Sequence, residues 1–224
     1  DIERLVADDP DFLGYVRRTS AQLKELLTGR VSPLELLFPG GSLEMAEGIY
    51  ERSASARYLN SLVAAAVRSA IEDHRGGEPF RLVEAGAGTG GTTSRLAEFF
   101  PSDGEYWFTD LSDAFLGRAH ARYGKNPAFR FARYNLDLPP PPELPSGAAD
   151  VVLAANVVHA TRDVGATIRH LRSLLKPGGL LVLIESTVHH SIFDLTIAFI
   201  EGWSSFDDGY RTTQPLLGPD RWTE

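Results

Sequence analysis

Two groups of residues in this chain are of types and spacings that do chemistry. The first is the stretch VEAGAGTGG at residues 83–91. Gly86, Gly88 and Gly91 spell GxGxxG, the loop that presents backbone amides to a pyrophosphate. Gly86, Gly88 and Gly90 equally spell GxGxG, with Glu84 two residues ahead. A carboxylate there is a poor neighbour for a phosphate and a good one for a cation. Asp110 lies 20 residues after Gly90 and could hold ribose hydroxyls for either kind of ligand. The second group is His159 and Glu185. A histidine titrates near neutrality, which suits it to take a proton from an acidic carbon. A carboxylate beside it can fix its tautomer and raise its basicity.

These residues can act together only if the fold assembles them. From residue 80 the sequence alternates between strands and helices. RLVEA, EYWFTD, FRFARYNL, ADVVLAAN and LLVLIES read as strands. TTSRLAEFF, SDAFLGRAHARY and DVGATIRHLRSLL read as helices, the last closed by Lys176, Pro177 and Gly178. The alternation predicts an α/β fold with a parallel, doubly wound sheet. Continuous apolar runs such as VVLAA and LLVLI mark strands covered on both faces. Ligands of such sheets sit beyond the C-terminal strand ends, at the switch point. Glu84, Asp110, Asn135, Asn156 and Glu185 all fall at strand exits, and His159 just past the fourth.

Residues 1–78 read as a helical N-terminal part, and 79–224 as the sheet domain. YVRRTSAQLKELL predicts a helix that buries Val16, Leu23 and Leu27, broken by Pro33, Pro39, Gly40 and Gly41. SASARYLNSLVAAAVRSAIEDH sets Leu59, Val63, Val67 and Ile71 on one apolar face. SIFDLTIAFIEGW, past the fifth strand, is amphipathic, with Phe193, Ile197 and Ile200 on one face. It suits either a substrate lid with Trp203 as a wall or a helix packed on the sheet.

Composition excludes several classes of function. The chain has 224 residues, 43% hydrophobic and 23% charged, with a net charge of −8. That is the profile of a globular protein without the basic stripe of a nucleic-acid binder. No apolar run reaches the roughly 20 residues that span a bilayer. The acidic opening DIERLVADDPDFL has no apolar core of a signal peptide. There is no cysteine, hence no disulfide, thiolate metal site or cysteine nucleophile, which fits a cytoplasmic setting.

VEAGAGTGGTT, then TD, NLD, NVVHAT and KPGGLLVLIE, together resemble class I S-adenosylmethionine-dependent methyltransferases. NVVHAT with LKPGGLLVLIEST and FIEGW, and EGIYERSASARYLN nearer the start, resemble more narrowly the C-methyltransferase domains embedded in polyketide synthases. The likeness covers residues 43–210. S-adenosylmethionine suits the loop, because it carries a sulfonium and an α-ammonium and no phosphate. The resemblance implies a Rossmann-like fold with a mostly parallel sheet and an N-terminal helical lid subdomain. It implies that Glu84, Gly86, Gly88 and Asp110 contact the cofactor, that Asp137 lies near the adenine, and that Asn156 lines the methionine end. His159 and Glu185 would form a catalytic dyad, with Tyr50 as an N-terminal active-site tyrosine and no metal.

The implied reaction is methylation of the α-carbon of a β-ketoacyl thioester. The substrate would ride on the phosphopantetheine arm of an acyl carrier protein, among neighbouring synthase domains. Two features depart from the family pattern. Ser204 follows EGW where a second tryptophan is usual, and the sequence ends at DRWTE before the antiparallel edge strands of the familiar fold. That suits a domain cut from a larger synthase. A catalytically silent structural domain and an O-methyltransferase stay open as alternatives. A nicotinamide-dependent reductase lacks support, since no tyrosine has a lysine four residues later.

Overall fold

The structure, a computed structural model, describes residues 9–75 and 77–223. The first eight residues of the acidic opening, Gly76 and Glu224 lie outside the described residues.

The N-terminal part is a set of short helices. Helix α1 (Pro10–Ala21) starts on Asp9, whose carboxylate accepts the Phe12 N–H at 3.0 Å, with Pro10 at the first position. Gln22 leaves helical geometry, so α2 (Leu23–Leu27) is a separate turn of helix. The interruption shifts the apolar phase. Leu26 is buried, Leu23 is half-buried and Leu27 is 69% exposed, so the single helix burying Leu23 and Leu27 does not form. Then follow α3 (Pro33–Leu37), α4 (Glu44–Glu47) and a π-helical turn, Gly48–Arg52. Helix α5 (Ala54–Asp73) is capped by Ser53, which accepts the Ala56 N–H. Its inward face carries Asn60, Val63 and Val67, with Leu59 and Ile71 half-buried at its ends.

The strands are β1 (Arg81–Ala85), β2 (Glu105–Asp110), β3 (Phe129–Arg133), β4 (Ala149–Ala155) and β5 (Leu175–Ile184). They lie in the order β3-β2-β1-β4-β5, every pairing parallel. Helices α6 (Gly91–Leu96), α7 (Asp113–Tyr123) and α8 (Val164–Leu174) connect them. The chain runs outward from β1 to β3 and then restarts on the other side of β1, which puts the switch point between β1 and β4. Helix α8 ends at Leu174, earlier than the Lys176-Pro177-Gly178 stop read from sequence. LKPGG instead enters β5: Leu175 pairs with Ala149 and Leu180 with Val151, so the extra residues bulge. Gly178 accommodates the bulge at φ +78°.

Period-two alternation decides which face each strand residue serves. Val83, Ala85, Val152 and Ala154 face Leu171 and Leu174 of α8. Leu82, Tyr106, Phe108, Val151 and Leu153 face Leu96 of α6, Ala119 of α7, and Val63 and Val67 of α5. The residues of the N-terminal part thus divide. Helix α5 packs in the sheet's core, while Tyr15, Leu26, Leu36, Leu37 and Ala46 form a separate apolar cluster. Ile197, Phe199 and Ile200, from past β5, pack against that second cluster. The segment that carries them is no continuous helix: a turn of helix α9 (Ser191–Asp194) and a 3-10 turn (Ile197–Phe199) are separated at Thr196. Among the described residues no helix is long and apolar enough to cross a membrane.

Candidate active site

The glycine loop leaves β1 and opens α6. Gly86, Gly88 and Gly90 have φ of +66°, +57° and +81°, the left-handed region open to glycine. Gly91 is needed for a different reason. A Cβ there would stand 2.5 Å from the Tyr50 carbonyl oxygen. The structure thus separates the two overlapping patterns: GxGxG describes the backbone, and the fourth glycine serves packing. The loop's amides are turned inward. Ala87 N–H donates to the Thr109 carbonyl, Gly90 N–H to the Ala87 carbonyl, and Gly88 N–H to Asp110 Oδ2 at 2.8 Å. A pyrophosphate would need those donors.

Glu84 is 1% exposed and lies under the loop. Its Oε2 accepts from Thr93 Oγ1 and Tyr106 Oη, each at 2.5 Å. Burial pushes its carboxyl up to about 7, against both hydroxyl donors, which favour the charged form. Glu84 is therefore a buried anchor beneath the loop and not a solvent-facing charge at the strand end. Asp110 is buried too, and burial raises its carboxyl against the Ser112 and Gly88 amides it accepts from. Beside it the loops after β2 and β3 enclose a groove of about 320 Å³, lined by Leu111, Asn135, Leu138 and Pro139 among others. Asp137 is exposed at the rim of the β3 loop, and its Oδ1 accepts the Arg162 N–H at 2.7 Å.

On the other side of the switch point the loop after β4 meets the glycine loop: a Cβ at Gly86 would stand 2.5 Å from Val157 Cγ2. Asn156 has φ +51°, the only non-glycine with positive φ among the described residues. Its Oδ1 accepts from Ser186 N–H at 3.1 Å, tying the ends of β4 and β5. Strain of this kind collects where a loop is over-determined by its surroundings. His159 sits on a 3-10 turn (Val158–Ala160), 8% exposed. Its Nδ1 is hydrogen-bonded to Glu185 Oε2, and Glu185 Oε1 accepts from Val157 N–H at 3.1 Å and Val158 N–H at 2.8 Å. The Glu185 side chain is 3% exposed. A carboxylate accepts, so Nδ1 carries the ring proton and Nε2 the lone pair. Nε2 makes no hydrogen bond among the described residues. Trp203 meets the imidazole edge-on at 5.5 Å, and Phe193 meets Trp203 at 6.0 Å.

Tyr50 is brought to the same end of the sheet by its backbone. Its carbonyl accepts from Asn60 Nδ2 at 3.4 Å, and Asn60 Oδ1 accepts from Thr92 in α6. The residue is 41% exposed, and its hydroxyl bonds neither His159 nor Glu185. Arg118–Glu47 and Arg122–Glu51 ion pairs tie the same helical layer to α7. Sequence reasoning passed over Thr93 and Tyr106, which hold Glu84, and Asp208 and Arg211, which hold the His159 segment. The first pair could have been found from period two, since Glu84 faces the apolar side of β1. The second pair has no local signal.

Comparison with known proteins sets the chain among methyltransferases. A family model described as a methyltransferase domain matches residues 83–181. Polyketide synthase ThaQ of Burkholderia thailandensis is 40% identical over 223 residues, covering 94% of this chain and 11% of that protein. Polyketide synthase PksR of Bacillus subtilis is 36% identical over 211 residues, covering 89% of this chain and 8% of that protein. The CurJ carbon methyltransferase superposes with a TM-score of 0.92 at 34% identity, over 99% of this chain and 60% of that one. The trans-methyltransferase CalH, solved in complex with SAH, superposes with a TM-score of 0.73 at 27% identity, over 92% of this chain and 56% of that one. The chain belongs to the methyltransferase family and, within it, to the carbon-methyltransferase domains of polyketide synthases. It spans about a tenth of the synthases it matches.

Proposed function

We propose that this domain methylates the α-carbon of a β-ketoacyl thioester tethered to the phosphopantetheine arm of an acyl carrier protein. The observation that carries the reading is the His159–Glu185 pair, with Nδ1 on the carboxylate and Nε2 without a partner among the described residues. An oxygen or nitrogen nucleophile can react by positioning alone, whereas a carbon acid must first lose a proton.

S-adenosylmethionine, when bound, supplies an electrophilic methyl group on a sulfonium sulfur. The site fits it. The left-handed loop leaves open space above Gly88, where a Cβ would meet nothing within 4 Å. The inward-turned amides suit a ligand without phosphate. Asp110 would hold the ribose hydroxyls with its remaining lone pairs, and Gly86 and Gly88 would admit the ligand close to backbone. Glu84 would support the loop from below. The groove beside Leu111, together with Asp137, would take the adenine, and Asn156 would line the methionine end.

In the reaction His159 Nε2 takes the α-proton and leaves an enolate spread over ketone and thioester. Glu185 balances the imidazolium charge and keeps the ring from turning. The Asn156 amide nitrogen, which has no partner among the described residues, or the Tyr50 hydroxyl would donate to the enolate oxygen. The enolate carbon would then take the methyl from bound S-adenosylmethionine, the sulfonium–methyl bond breaking as the new C–C bond forms and S-adenosylhomocysteine leaving. Trp203 and Phe193, with the helical layer around Tyr50, wall the acyl side. Mass spectrometry of a β-ketoacyl carrier protein incubated with the domain and S-adenosylmethionine tests the reading. One added methyl at the α-carbon supports it. An O-methyl product, or none from a protein that binds S-adenosylhomocysteine, overturns it and leaves the O-methyltransferase or the silent structural domain respectively.

A further inference from the structure

Past Trp203 the chain makes a turn that has no part in the methyl-transfer reading above. Its centre is Arg211, whose side chain is 0% exposed. The guanidinium donates to the His159 carbonyl at 2.6 Å through Nη1. Through Nη2 it donates to the Thr161 carbonyl at 2.6 Å and the Arg162 carbonyl at 3.0 Å. Nε and Nη2 both bond Asp208 Oδ2, at 3.0 and 2.7 Å. Phe206 lies against the guanidinium, 5.1 Å from its carbon to the ring centre. Asp208, 2% exposed, also accepts the N–H groups of Val164, Tyr210 and Arg211.

A 3-10 turn as short as Val158–Ala160 leaves carbonyls with no partner inside the turn. Water could serve exposed ones, but the His159 and Thr161 carbonyls are buried and face this cation. The segment carrying His159 is therefore held from two directions. Glu185 Oε1 takes the Val157 and Val158 N–H groups on one side, and Arg211 takes the carbonyls on the other. The imidazole can keep Nδ1 on Glu185 Oε2 only while its own backbone stays in that frame. A planar fork of five donors spans three carbonyls and a carboxylate at once, and a lysine ammonium does not.

We propose that Arg211, anchored by Asp208, is a positioning residue for the base: it fixes the His159 backbone so that the Nδ1–H tautomer is held on Glu185. The inference rests on reading His159 as the base, and its test does not depend on turnover. Protein labelled with ¹⁵N at histidine reports the His159 tautomer by long-range ¹H–¹⁵N correlation. Wild type is compared with Arg211→Lys and with the milder Asp208→Asn. Melting curves and S-adenosylhomocysteine affinity are recorded beside it, as is deuterium exchange at the α-carbon of a β-ketoacyl carrier protein.

The expected result is a single Nδ1–H tautomer in wild type and a mixture in Arg211→Lys. Exchange should slow by about 10-fold or more, on the scale of a general base moved out of line. Cofactor affinity should hold, and Asp208→Asn should show the same change to a smaller degree. If both variants keep the wild-type tautomer and exchange rate, Arg211 does not position His159. If neither variant folds, the cluster is structural only and the inference is equally wrong. If wild type lacks the Nδ1–H tautomer, the inference falls with the base assignment. If the tautomer shifts in the variants while wild type makes no α-methyl product, the positioning role stands and the C-methylation reading alone fails.

Discussion

His159 has its two ring nitrogens in different surroundings, and that asymmetry is what a base needs. Nδ1 is committed to Glu185, and Nε2 is the one lone pair left for a substrate proton. His159→Ala should lower methylation by the roughly 10²–10⁴-fold range of general-base catalysis while S-adenosylhomocysteine affinity is kept. Glu185→Gln tests the geometry more sharply. The Val157 and Val158 N–H groups hold one carboxylate oxygen, so the glutamine carbonyl must take that place. Its NH₂ then faces Nδ1, which can only accept, and the ring proton moves to Nε2. The loss should therefore approach that of His159→Ala, although the shape change is small. α-Carbon deuterium exchange with S-adenosylhomocysteine in place of the methyl donor measures both variants. Undiminished exchange in either one would falsify the assignment of base and orienter.

Two elements meet the sheet from outside, and each gives a prediction at its own scale. The π-helical turn presses its backbone on the start of α6, where a Cβ at Gly91 would stand 2.5 Å from the Tyr50 oxygen. Gly91→Ala should destabilise the fold by about 1–3 kcal/mol, the usual cost of overpacking against unyielding backbone. Gly117 is the control, since it lies inside α7 at ordinary helical angles with nothing within 4 Å of an added Cβ. There alanine should stabilise by about 0.5–1 kcal/mol from helix propensity. Thermal melts of the two variants should move in opposite directions. The segment after β5 is the second element. Trp203 packs edge-on against the His159 ring and Phe193. Trp203→Ala should slow turnover of tethered substrate and leave cofactor affinity within about twofold, because only the acyl side loses contact. An equal fall in cofactor affinity would show that Trp203 belongs to the structural core.

At the scale of the whole molecule, the buried Glu84 couples folding to pH. Its carboxyl stands near 7 when folded and at 4.5 when exposed, so the folded state binds the extra proton. Between those values stability falls as pH rises, and above about 7 the loss is complete. At about 1.36 kcal/mol per pKa unit the span amounts to roughly 3 kcal/mol. Glu84→Gln removes the proton step and keeps an oxygen for Thr93 and Tyr106. Denaturant unfolding from pH 4.5 to 8 should show a flatter profile for the variant than for wild type. It should leave the variant the more stable of the two at pH 8. Parallel profiles would mean that Glu84 titrates normally.

Much of this protein was legible along the chain. The strands, their parallel arrangement and the run of polar residues at their exits follow from periodicity and alternation, which are local properties. His159 and Glu185 could be paired on paper although 26 residues separate them, because parallel topology places the ends of β4 and β5 side by side. What needed the tertiary structure is whatever depends on burial or on where backbone comes near backbone. A one-residue interruption at Gln22 exchanged Leu27 for Leu26 in the core. Glu84 read as a strand-end charge, and became an anchor because β2 and α6 bring it two hydroxyls, with its pKa pushed toward neutral because they also close out water. Gly90 and Gly91 look alike in sequence, yet one answers to its own φ and the other to Tyr50 from a distant helix. Arg211 lies 52 residues from His159 with no motif around it. Its role exists only where a buried turn leaves carbonyls that one planar cation can reach.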